Sequence, residues 1–133
     1  MSRHYPLVAA RAGHRCEYCH APEAVFNFPF EVEHIIPSSL GGGDEDANLA
    51  LACRSCNVLK SASVTGIDPE SQEEVRLYHP RNDSWEVHFH VEIETAEVRG
   101  HTAIGRATVL TMQINREAQR TARQQWMRLD LFP

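Results

Sequence analysis

Apolar and polar positions alternate along Phe30-Glu-Val-Glu-His34, and Ile35-Ile36-Pro37 closes the run, which reads as a strand. Gly41-Gly42-Gly43-Asp44 reads as a turn or loop. Asn48–Ala52 returns as a second short strand or an extended turn, and Cys53–Ala62 reads as a helix. The predicted unit is a β-hairpin followed by a helix. Upstream, residues 6–14 read as a short helix with Pro6 in its first turn and Gly13 at its end. Cys16-Glu-Tyr-Cys19 is a tight turn, and residues 21–29, with Pro22 and Pro29, read as loop. Downstream, Gly66–Ser71 breaks the pattern and Glu74–Tyr78 reads as a strand. Trp85–Ile93 alternates throughout and predicts one long strand, with Trp85, Val87, Phe89, Val91 and Ile93 on one face. Glu86, His88, His90 and Glu92 would share the other. Two helices close the chain, over roughly 102–113 and 116–129. In the second, Ala118, Ala122 and Trp126 recur at helical spacing among arginines. The expected class is α+β, a hairpin–helix unit extended by a strand pair and two helices.

A chain of 133 residues suggests one domain, with a core at 1–66 and an extension at 67–133. No apolar run is long enough to cross a membrane. The N-terminal residues lack the apolar stretch of a secretory signal, so a cytoplasmic, reducing setting is expected. There, four cysteines are more readily metal ligands than disulfides. Cys16-x-x-Cys19 and Cys53-x-x-Cys56 are matched pairs, each able to present two thiolates on one turn; together they suit a tetrahedral Cys₄ zinc site with no open position, hence a structural one. A redox CxxC pair and buried free thiols are the alternatives.

Charge complicates the choice of partner. The net charge is −5, and four thiolates around one dication add −2, giving −7. A phosphate-binding protein gains affinity from cations that release counterions. Residues 67–100 carry nine acids and three arginines, whereas residues 101–133 carry two acids and five arginines, namely Arg106, Arg116, Arg120, Arg123 and Arg128. A surface facing nucleic acid is therefore expected to use the last third, with Arg15 and Arg81 as further candidates.

Between the cysteine pairs stand Glu33-His34-Ile-Ile-Pro37, Gly41-Gly42, Asn48-Leu49 and Cys56-Asn57-x-x-Lys60. Over roughly residues 11–62 this string resembles the HNH (ββα-metal) nuclease family with its zinc-binding cysteines. Leu77-Tyr-His-Pro-Arg81, Trp85-Glu-Val-His-Phe89 and Gly105-Arg-Ala-Thr108 look like a bacterial subgroup of that family. The resemblance implies a metal-dependent endonuclease hydrolysing phosphodiester bonds in DNA. His34 would be the general base, a role that suits an imidazole near neutral pH. Glu33 and Asn57 would ligate the catalytic ion, and an oxygen-only ligand set favours Mg²⁺ or Mn²⁺. The ion would steady the departing 3′ oxygen. Regular alternation points Glu33 and His34 apart, so the resemblance also implies a local distortion of the strand. Asn48 would pin the loop carrying His34, or be an ordinary turn asparagine. Lys60, the single lysine, would contact a phosphate oxygen or stand exposed on its helix.

Two other readings compete: a non-catalytic zinc module binding nucleic acid or protein, and a nuclease serving RNA. His88 and His90, with Glu86 and Glu92, form a second possible metal site, although a solvated polar face is the preferred reading. Trp85 and Trp126 read as core anchors.

Overall fold

The computed structural model describes residues 1–133. Helix α1 (Tyr5–Arg11) opens with Pro6 in its first turn, and Gly13 follows at φ 62°. Strands β1 (Glu31–His34) and β2 (Leu49–Ala52) pair antiparallel, with His34 opposite Leu49 and Glu31 opposite Ala52. All four residues of β2 are buried, so this strand forms the floor of the hairpin. Helix α2 (Arg54–Lys60) follows at once, and its N-cap is Cys53, whose sulfur accepts the Cys56 amide at 3.5 Å. The predicted hairpin–helix unit is present.

The extension differs from its prediction. Strand β3 (Thr65–Ile67) pairs with β4 (Glu74–Arg76), and β5 (Phe89–Glu92) pairs with β6 (Glu97–Gly100). There are two separate strand pairs, not one. The alternating run from Trp85 divides into a single helical turn, α3 (Trp85–His88), and then β5. Tertiary contacts override the alternation. The Trp85 ring stacks on His20 with centroids 4.0 Å apart, and its indole N–H donates to the Tyr18 carbonyl at 2.8 Å. Those contacts anchor the turn, so Val87 faces solvent and His88 turns inward, the reverse of the faces predicted at these two positions. Helices α4 (Ala103–Thr111) and α5 (Glu117–Arg128) lie where expected, α4 capped by the Thr102 hydroxyl accepting the Gly105 amide at 3.0 Å.

A continuous apolar core runs from Val8 and Tyr18 through β2 to Tyr78, Phe89, Val98, Met112, Trp126 and Phe132. The extension thus packs into the same core as the hairpin–helix unit. No helix is long and apolar enough to cross a membrane.

Candidate active site and zinc centre

The turn holding Cys16 and Cys19 is fastened to β2 from both sides of Glu17. The Glu17 amide donates to the Leu51 carbonyl and the Leu51 amide donates to the Glu17 carboxylate, each at 2.8 Å. This brings the first cysteine pair against the second, at the start of α2. All four cysteines are buried and unbridged, and their sulfurs lie within 4.8 Å of one another. The Cys19 and Cys53 sulfurs are 3.8 Å apart, matching the edge of about 3.8 Å of a tetrahedron built on Zn–S bonds of about 2.3 Å. The Cys19 amide donates to the Cys16 sulfur at 3.5 Å, so each pair carries one N–H···S bond of the kind that supports thiolates. The cluster fits a structural zinc. Purified protein is expected to contain one zinc per chain by elemental analysis, and Cys53→Ala to lose it together with the cooperative unfolding transition.

Arg123, counted above among the arginines expected to face nucleic acid, comes from α5 and is fully buried. Its guanidinium donates to the Ala96 carbonyl at 2.6 Å and the Ile114 carbonyl at 3.0 Å, and stands 5.7 Å from the centre of the Phe132 ring. No carboxylate pairs with it. Burial lowers its pKa, and the negative charge of Cys19, Cys56 and Cys53 opposes that shift. A tetrathiolate zinc centre carries about −2, so a buried cation nearby offsets part of its charge.

The strand carrying the expected catalytic pair is regular, and the implied distortion is absent. Glu33 and His34 point apart, Glu33 into the protein and His34 toward solvent. Glu33 Oε1 lies 2.5 Å from Lys60 Nζ, while Oε2 accepts the Tyr18 hydroxyl at 2.8 Å. Lys60 also donates to the Ile35 carbonyl at 2.9 Å and is only 1% exposed. It is neither a phosphate contact nor a surface lysine, because helical spacing places it over Glu33. Asn57, one turn earlier, donates instead to Glu31 Oε2 at 3.1 Å. The two expected ligands of the divalent ion are therefore each committed elsewhere, and an ammonium sits where a cation would approach Glu33. In this arrangement Glu33 faces an ammonium and Asn57 a carboxylate.

His34 is placed differently. Its side chain is 41% exposed, and Nε2 lies 2.6 Å from Asp44 Oδ1. Asn48 is the buried clasp beneath this pair. Its side-chain oxygen accepts the Ile36 amide at 2.9 Å, and its Nδ2 donates to the Ile36 carbonyl at 2.9 Å and the Gly43 carbonyl at 2.8 Å. The loop passes so close that a Cβ at Gly42 would collide with the Ile36 carbonyl. Asp44 carried no sequence signal beyond a turn residue, although its position after three glycines marked it as a loop tip.

The remaining candidates are mostly bound internally. Arg15 donates to the His20 and Leu131 carbonyls, Arg81 pairs with Glu17, and Arg106 makes a two-pronged pair with Asp68 at 2.9 Å. With Arg123 buried, the last third offers Arg116, Arg120 and Arg128 to a partner. Arg116 reaches across to the Ser55 hydroxyl of α2 at 2.8 Å. His88 bonds the Thr102 hydroxyl at 2.6 Å and leaves the face assigned to it; His90 instead meets His101 at 3.1 Å and Glu92 at 3.0 Å.

Residues 16–63 match the family model for HNH endonuclease. The resemblance read from the motifs holds over that stretch, which spans both cysteine pairs, the hairpin and α2 but less than half of the chain. No curated protein and no solved structure matches the chain.

Proposed function

We propose that this chain is an endonuclease hydrolysing phosphodiester bonds, with DNA as its substrate and His34 as general base. The observation that carries this reading is the half-exposed imidazole at the open end of the hairpin, inside the segment matching HNH endonucleases. Its Nδ1 makes no hydrogen bond within the chain and is free to take a proton from water. As that proton leaves, the water oxygen bonds to phosphorus and the bond to the 3′ oxygen breaks. The departing oxygen takes its proton from solvent.

The test is nicking of supercoiled plasmid by zinc-loaded protein, with Mg²⁺, with Mn²⁺ and with neither. His34→Ala is expected to lose about 10²–10⁴-fold in rate, the range for a positioned acid or base, while keeping zinc and fold. Undiminished cutting by that variant would remove His34 from the mechanism. A second reading, a non-catalytic zinc module, is favoured by one observation: Glu33 is neutralised by Lys60. DNA binding without cleavage under either ion would select it.

A further inference from the structure

We infer that Asp44 is the positioning residue for His34, holding the imidazole through Nε2 so that Nδ1 meets the attacking water. This rests on the proposed role of His34 and goes beyond it, because nothing in the motif pattern assigns Asp44 a task. The geometry is specific: a carboxylate oxygen 2.6 Å from one ring nitrogen, with the other nitrogen unpartnered. A carboxylate accepts and cannot donate, so the shared hydrogen is on Nε2. The ring is thereby fixed in the tautomer with a bare Nδ1, and the imidazolium formed on proton transfer is stabilised by the adjacent negative charge.

The backbone holds both partners. Asn48 ties the exit of β1 at Ile36 to the loop at Gly43, one residue before Asp44. The Ile35 amide donates to the Asn48 carbonyl at 2.9 Å, extending the strand pairing just past His34. One asparagine therefore sets the distance between imidazole and carboxylate. The bond to His34 holds the Asp44 carboxyl below the usual carboxylate range, with smaller contributions from His4 and Arg3 of the N-terminal segment. Asp44 is exposed, so replacing it leaves the core untouched.

The experiment compares wild type, Asp44→Ala, Asp44→Glu and His34→Ala as zinc-loaded full chains. Asp44→Ala is expected to lower kcat roughly 10–100-fold, the scale for losing the hydrogen-bond partner that orients a metal-bound histidine, with KM for plasmid nearly unchanged. Asp44→Glu is expected to recover part of that loss. Independently of activity, NMR of the ring nitrogens in wild type is expected to show a downfield Nε2–H resonance for His34 that vanishes in Asp44→Ala. If Asp44→Ala cuts within twofold of wild type while His34→Ala is inactive, the positioning role is wrong and the base assignment stands. Absence of the carboxylate-bonded resonance in wild type also overturns it. Full activity in His34→Ala removes both assignments.

Discussion

Lys60→Met is expected to destabilise the protein by about 3–5 kcal/mol, the cost of stranding a buried charge. Glu33 is 4% exposed, and its Oε1 has no hydrogen-bond partner besides the Lys60 ammonium that faces it. Methionine fills the lysine volume but leaves the carboxylate without its cation. The double variant Lys60→Met with Glu33→Leu is expected to regain most of the loss, because exchanging both charges for apolar groups removes the desolvation cost as well as the attraction. Urea unfolding monitored by circular dichroism measures both. The deficit should also depend on pH. Burial holds the Glu33 carboxyl above the usual glutamate range, against the pull of Lys60 and the Tyr18 hydroxyl. The folded state then binds this proton more tightly than the unfolded chain. The group's contribution is complete below the unfolded value of about 4.3 and declines as pH rises through the folded value. Without Lys60 the upward shift grows. The Lys60→Met deficit is therefore largest at neutral pH and shrinks on acidification. A deficit independent of pH would mean that lost packing, not the stranded carboxylate, is responsible.

Arg123→Met is expected to have a comparable effect, roughly 3 kcal/mol or more, and to act on zinc as well as on the fold. The substitution orphans the Ala96 and Ile114 carbonyls and removes the cation that opposes the thiolate charge. Zinc release to a chromogenic chelator should quicken. Arg123→Lys should fall between wild type and Arg123→Met, since it restores the charge without the planar fork that serves two carbonyls. Zinc release unchanged in Arg123→Met would mean that this guanidinium holds α5 in place and does nothing for the metal centre.

The two predictions meet at one architectural point. Each charge buried against the hairpin is answered by a residue far away in sequence: Glu33 by Lys60, and the thiolates by Arg123 from the last helix. The arginines in the final third looked like a phosphate-facing set. The structure spends Arg106 on Asp68 and Arg123 on the interior, leaving Arg116, Arg120 and Arg128 on the outside.

Local signals were sufficient for the hairpin, α2, α4 and α5 and for the zinc ligands. Turn glycines, helix caps and cysteine spacing act over a few residues, and the chain carries them whatever surrounds it. They also placed His34 at the end of a strand and Asn48 at the start of the returning segment. Pairing was not legible in the same way. Whether Glu33 faces a metal or an ammonium depends on which face of α2 lies over β1, and burial of that face is a property of the assembled core. The run from Trp85 to Ile93 shows the same limit: its alternation fits a strand, yet Trp85 gains more by stacking on His20 and bonding Tyr18, and the backbone coils to allow it. Asp44 became visible only when the loop closed, because a carboxylate ten residues from an imidazole meets it only through the fold. The sequence alone therefore determined the hairpin–helix unit, the two closing helices, the cysteine centre and the candidate base. Tertiary structure alone decided which charges neutralise one another, because that choice follows from burial and distance between residues remote along the chain.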